Sequence, residues 1–179
     1  MASSFPRFGR LAVQCGAALL SPLVLVACAS ESALAPPCPL AIAPEDSGKL
    51  VRFDGQGRDL TDIEFEAEIL GLQVACVYDG PVIETTMKVR IAAAQGPANQ
   101  SGRADLVYFV AILTQDRQVA AWEAFDVSIP FSGNLTRLAT EDEVFPRIPL
   151  KAGEDGDDYT IVVGLEMSRS ELDYNRANR

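Results

Sequence analysis

The sequence predicts an all-β fold, an antiparallel sandwich of two sheets with one short helix at its C-terminal end. Three observations lead there. Apolar and polar residues alternate with period 2 through several separate runs, which places successive side chains on opposite faces of a strand. Glycines, prolines and small polar clusters punctuate those runs at short intervals. No helical periodicity intervenes before Ser168. At least six strands fit between residue 38 and that point, which suits two stacked sheets; a closed barrel is the second solution.

The first clear strand lies between Asp62 and Leu70, where Ile63, Phe65, Ala67 and Ile69 share one face and Glu64, Glu66 and Glu68 the other. Gly71 then marks a break or a bulge, after which Leu72, Val74, Cys76 and Tyr78 take the inward parity as far as Asp79-Gly80-Pro81. From Val82 to Ala94 the odd positions Ile83, Thr85, Met87, Val89, Ile91 and Ala93 form a dry face against Glu84, Thr86, Lys88 and Arg90. A loop follows over 95–102. Asp105 to Leu113 is apolar on both parities and reads as a central strand covered on both sides. Thr114 to Gln118 joins it in a hairpin to Val119–Phe131, where Phe125, Val127, Ile129 and Phe131 alternate with Asp126, Ser128 and Pro130.

Asn134 to Thr140 reads as a short strand, Glu141-Asp142-Glu143 as a solvated turn, and Tyr159 to Met167 as the last strand. Ser168-Arg-Ser-Glu171 fits a capping box, in which a Ser side chain and a Glu three residues on satisfy each other's backbone N–H groups, so a helix is expected over about 168–178. Asp155-Gly-Asp-Asp-Tyr159-Thr-Ile161 resembles the tyrosine corner of immunoglobulin-like domains, and that resemblance implies an immunoglobulin-like sandwich; Tyr159 as a plain core aromatic is the alternative.

The first thirty residues carry an address. Arg7 and Arg10 precede a mostly apolar run, Leu11 to Ala27, that ends in small residues around Cys28, which is the grammar of a secretory signal. Gln14 and Ser21-Pro22 interrupt the run, making it marginal for crossing a bilayer core of about 30 Å; a retained membrane span is the alternative. Leu25-Val26-Ala27-Cys28 resembles the lipobox of bacterial lipoproteins, and the resemblance implies acylation of Cys28. An ordinary cleavage after Ala27 with an incidental cysteine is the competing reading. Each buried acyl methylene contributes about 0.8 kcal/mol, so a multi-chain anchor dissociates negligibly. Ala29, where an Asp would favour the inner membrane by similarity to lipoproteins, points to the periplasmic face of the outer membrane.

The expected organisation is a signal over 1–27, a lipidated tether over 28–37 and one domain over 38–179. Removal of the signal takes away two arginines and no acid, leaving 13 basic and 25 acidic residues and a net charge of −12 over 152 residues. Cys15 leaves with the signal and Cys28 is taken by lipid. Cys38 and Cys76 remain, and two thiols in an oxidising compartment most simply pair; two free thiols are the alternative. Closing a loop of about 39 residues would restrict the unfolded chain by about 4 kcal/mol.

Chemistry is sparse by comparison. The chain has no histidine, which removes the commonest general base and the Ser-His and Cys-His nucleophile pairs. A pI near 4.4 argues against a nucleic-acid partner. The Glu64, Glu66, Glu68 stripe reads as a solvated face beside Lys88 and Arg90, or as a docking edge. Glu154 to Asp158 is oxygen-rich and bent at Gly156, a feature a hard cation could use, without calcium-loop spacing. Asp54-Gly-Gln-Gly-Arg58 reads as a turn, and Trp122 as a core or sheet-covering aromatic rather than a stacking platform. The expectation is therefore no enzyme, no cofactor and no metal: an envelope interaction module that binds another envelope protein, with a periplasmic ligand- or cation-binding module as the alternative.

Cys38-Pro39, Arg58-Asp-Leu-Thr-Asp62, Cys76-Val-Tyr78-Asp79, Phe125-Asp126-Val127, Ile148-Pro149-Leu150, Asp158-Tyr159 and Tyr174-Asn175-Arg176 together make the chain resemble a family of small alphaproteobacterial lipoproteins. The resemblance implies export, anchoring and the Cys38–Cys76 pairing. It implies no activity.

Overall fold

A computed structural model describes residues 35–178. Cys28 and residues 28–34 of the expected tether, like the expected signal over 1–27, lie outside the described residues. From Ala35 onward the chain forms a compact unit with its own core. Its strands are β1 (Leu40–Ile42), β2 (Lys49–Phe53), β3 (Ile63–Asp79), β4 (Val82–Gln95), β5 (Arg103–Thr114), β6 (Val119–Pro130), β7 (Arg137–Val144), β8 (Arg147–Pro149) and β9 (Tyr159–Leu165), and the helix is α1 (Arg169–Ala177). One sheet has the order β1-β9-β5-β6 and the other β2-β3-β4-β7, with β8 beside the start of β4. The fold is the all-β two-sheet sandwich that the alternation predicts, not a barrel.

All pairings are antiparallel except β1 with β9, which run parallel with Leu40 opposite Thr160 and Ile42 opposite Val162. This departs from a purely antiparallel sandwich, and the reason is where the chain enters. Cys38 is fixed next to the end of β3, so β1 must start at the same end of the sandwich as β9 and run with it.

β3 and β4 carry the core. Ile63, Phe65, Ala67 and Ile69 face inward, Leu70 is an extra residue in the ladder, and Leu72, Val74, Cys76 and Tyr78 take over the inward face beyond it. The sequence reading of a break or bulge at Gly71 thus resolves into one continuous strand with a bulge at Leu70. Opposite, Ile83, Met87, Val89 and Ile91 are fully buried and pack against Leu106, Tyr108, Val110, Ile161 and Val163 of the other sheet. Burying each large aliphatic side chain contributes about 1.5–3 kcal/mol.

Two sequence expectations are corrected here. The strand expected over 134–140 is displaced to Arg137–Val144, and Glu141-Asp142-Glu143 belong to it rather than to a solvated turn. Pairing against β4 decides this, because Glu141 falls opposite Arg90 and Glu143 opposite Lys88, so cross-strand charges are complementary in the extended form. The second concerns β5, which is hydrogen-bonded on both edges, to β6 and β9, but whose outer face is only partly covered, with Val107, Phe109 and Leu113 half-buried and Ala111 buried. The three short strands β1, β2 and β8 have too little alternation to be read from sequence.

Helix α1 forms where the capping box places it. The Ser168 hydroxyl accepts from Glu171 N–H at 3.3 Å, and a Glu171 carboxylate oxygen accepts from Ser168 N–H at 2.6 Å. The helix docks beside β2 through Tyr174, edge-on to Phe53 at 5.0 Å, and through Asn175, whose amide donates to the carbonyls of Asp46 and Lys49. Glu171 is buried, and its second oxygen lies 2.6 Å from Arg52 Nε, an ion-pair contact in which the N–H points away from hydrogen-bond geometry. Arg52 in turn rests over the Phe65 ring.

Removing the Glu171 side chain strips the acceptor of Ser168 N–H, one half of the capping box, and the neutralising charge from Arg52. Glu171→Ala is expected to cost about 3 kcal/mol in a denaturant titration, and Glu171→Gln, which keeps the capping acceptor, clearly less. Equal losses from the two variants would show that the capping acceptor contributes nothing and that the charge carries the whole effect.

Candidate functional site

The end of the sandwich where the chain enters is held by a clasp. Cys38 is disulfide-bonded to Cys76, with the Cα atoms 5.7 Å apart. Two residues along β3, the Tyr78 hydroxyl donates to the Pro37 carbonyl at 2.6 Å and accepts from Gly156 N–H at 2.7 Å. A side chain at position 156 would run into that same carbonyl, so glycine is required for the close approach. Entering chain, the end of β3 and the loop before β9 are thereby fixed to one another.

The oxygen-rich segment Glu154–Asp158 lies at this end, and its carboxylates are turned onto their own chain. Asp155 accepts from Asp157 N–H at 2.8 Å and Asp158 from Asp155 N–H at 2.9 Å. Glu154 takes the Tyr159 hydroxyl at 2.6 Å and Lys151 N–H at 2.9 Å; the Tyr159 bond is the main cause that holds its carboxyl below the usual range. Among the described residues no group of three His, Cys, Asp or Glu side chains is placed to hold a metal ion. Tyr159 is a buried core ring whose hydroxyl also reaches the Pro149 carbonyl at 3.2 Å, so its bonds return to the chain five and ten residues upstream.

Two of the concavities among the described residues bear on a site. One is an open cleft of about 930 Å³ below α1, where Arg52 and Glu171 meet Asp105, Asp126, Glu166 and Met167. The other, about 440 Å³, is a groove between the edge strands β6 and β7, walled by Phe125, Val144 and Phe145 and lined by Glu123, Asp142, Glu143 and Arg147. At its floor the Tyr108 hydroxyl donates to Asp142 Oδ2 at 2.7 Å, and the Tyr108 ring stacks on Phe125 at 5.1 Å. Burial first, then the Asp142 carboxylate and the charge of Glu123, push the Tyr108 phenol well above its ordinary value.

The outer face of the β1-β9-β5-β6 sheet is the larger surprise. Register places Leu40 and Ile42 beside Thr160 and Val162, then Leu113, Ala111 and Phe109, then Val119, Trp122 and Ala124. This is an apolar surface across all four strands, with Leu40 64% exposed, Val119 63% and Trp122 57%. The Phe109 ring lies over Gly164, where any side chain would strike it, and stacks with Trp122 at 6.5 Å. Trp122 therefore covers the sheet from outside and is not a core residue. Beyond Phe109 the face becomes polar, with Asp105 receiving Arg103 at 2.7 Å and the Ser128 hydroxyl at 2.6 Å, and with Asp126 and Glu166 nearby in register.

The acidic stripe does not lie opposite Lys88 and Arg90. Glu66 and Glu68 fall opposite Ala94 and Ala92, and Glu68 pairs instead with Lys49 at 3.8 Å and Arg137 at 3.9 Å, while Lys88 pairs with Glu141 at 3.3 Å. These are exposed pairs, each contributing a few tenths of a kcal/mol. Asp54–Arg58 is a turn leading to a short 3-10 segment. Among the described residues no helix is long and apolar enough to cross a membrane.

Fold and surfaces define a two-sheet β-sandwich with a clasped entry point, an acidic aromatic groove and one open apolar face. No protein-family model matches the chain, and no curated protein matches it.

Tyr108 and Tyr159 hold their protons past the ordinary phenol value of 10, with Tyr159 pushed up to about 12, chiefly by its bond to Glu154. The folded chain then binds these protons more tightly than the unfolded chain. The stabilisation is complete below pH 10 and drains away as pH rises toward 12 and beyond. Denaturant midpoints measured from pH 9 upward are expected to fall for the parent and to fall less steeply for Tyr108→Phe; identical slopes would exclude Tyr108 as a contributor.

Proposed function

We propose that the protein is a bacterial lipoprotein, held at the periplasmic face of the outer membrane by acylated Cys28, and that it acts without catalysis by binding another envelope protein. The observation that carries this reading is the Cys38–Cys76 disulfide at the point where the chain enters the domain. A bridge of that kind persists in an oxidising compartment, which agrees with the secretory grammar of residues 1–27 and the Leu25–Cys28 lipobox. The resemblance to small alphaproteobacterial lipoproteins supports the same address.

The groove between β6 and β7 supports the binding role. Its aromatic walls and its carboxylates Glu123, Asp142 and Glu143 suit a protein segment that brings lysine or arginine alternating with apolar side chains. The two strands that flank it are the outer strands of their sheets. The absence of histidine and the self-satisfied carboxylates of Glu154–Asp158 support a non-enzymatic, cation-independent role over a ligand- or cation-binding module.

Labelled palmitate is expected to enter the parent chain and not Cys28→Ala, and the variant is expected to leave the outer-membrane fraction. Parent chain without label, or a variant that fractionates with the outer membrane as the parent does, would sink the anchor. For the groove, a photo-crosslinker placed at Phe145 is expected to trap a basic protein in native membranes, and Glu143→Lys to abolish that product.

A further inference from the structure

We infer that the open face of the β1-β9-β5-β6 sheet is a membrane-facing surface that rests on a zwitterionic phospholipid bilayer. The inference rests on the anchored reading above and says how the domain is oriented once it is anchored.

The face is apolar on one half only. Leu40, Ile42, Leu113, Val119 and Trp122 lie toward the end where the chain enters, and Asp105, Asp126 and Glu166 lie toward the other end. Leu40 is two residues from the Cys38 clasp, and Val119 directly follows the turn that starts at Thr114, which stands opposite the first residue of β9. The apolar half is therefore the half nearest the anchor. Along β5 it runs from Phe109 to Leu113 and it crosses four strands, on the order of 300 Å², comparable with the largest apolar patch a single domain exposes, which is often functional.

Chain length sets the occupant. Nine residues separate Cys28 from Cys38, and even fully extended the ten steps span only about 35 Å, so the apolar half cannot move far from the lipid that holds Cys28. Local concentration of bilayer at this face is high whatever else is present. The polarity gradient agrees, because a face resting on lipid keeps its carboxylates at the end remote from the anchor. Trp122, half-exposed and stacked on Phe109, is the side chain type favoured at a membrane–water boundary. The near end of the sandwich holds Arg117 beside Asp116 and the carboxylates of Glu154–Asp158, with no run of cations, so it is repelled by an anionic surface and fits a zwitterionic one.

The test uses residues 29–179, which contain the whole core and the disulfide but lack the acylated cysteine, mixed with phosphatidylcholine vesicles. Trp122 is the only tryptophan in the chain and reports directly. Its emission is expected to shift to the blue on vesicle addition and to be quenched by lipids brominated in the acyl chains, with the protein sedimenting with the vesicles. Val119→Asp and Leu40→Asp lie on the exposed surface and are expected to weaken partitioning at least tenfold without moving the thermal midpoint. Unchanged emission and no co-sedimentation would overturn the inference. So would a blue shift that needs no vesicles and grows with protein concentration alongside a dimer in sedimentation, which would assign the face to a second copy of the chain. Because this chain carries no lipid, its behaviour is independent of the palmitate result: vesicle binding with failed labelling would discard the anchor and keep the face, and the converse would do the opposite.

Discussion

One extra residue organises this domain. Leu70 interrupts the register between β3 and β4, and because side chains alternate with period 2, that single insertion moves the inward set from odd to even positions. Without it, Leu72, Val74, Cys76 and Tyr78 would point to solvent. With it, Cys76 meets Cys38, and Tyr78 reaches the Pro37 carbonyl and Gly156 N–H. The point where the described chain joins the sandwich and the direction of β1 both follow from the parity change.

The two sheets spend their side chains differently. β2-β3-β4-β7 has one dry face and one charged face, on which Lys49, Lys88 and Arg137 answer Glu68 and Glu141. β1-β9-β5-β6 has a dry inner face and an outer face that is also dry over half its length. A sheet apolar on both faces is what a buried central layer looks like, yet here there is no third layer among the described residues. The acidic charge of the domain is thereby confined to the loops, the opposite sheet and one end, which leaves a surface with no electrostatic resistance to lipid or to another apolar surface.

Much of this was legible in the residues. The alternation of Ile63 to Ile69 and of Ile83 to Ala93, the β5–β6 hairpin and the Ser168–Glu171 capping box all rest on interactions within a few positions or on a strict period, so local pattern suffices to find them. Other features were not legible. The far end of the strand at Arg137–Val144 looked like a turn because Glu141-Asp142-Glu143 is extended only by virtue of Lys88 and Arg90 on a strand some fifty residues earlier. The groove depends on which edge strands end up side by side, and no residue in it announces that. Trp122 illustrates the limit: its apolar neighbours in sequence suggested packing, and only the sheet order left it at the surface.

By itself the sequence determined the class of fold, an irregularity close to Gly71, and the helix and its cap, because each depends on spacing along the chain. Tertiary structure alone decided that β1 runs parallel to β9, that Arg52 sits against Glu171, that the carboxylates of Glu154–Asp158 close on their own backbone, and that the second apolar face of β5 stays open. Those outcomes depend on which distant segments become neighbours. A residue's own pattern states which face it prefers to bury, but whether anything arrives to bury it is a property of the assembled sheets.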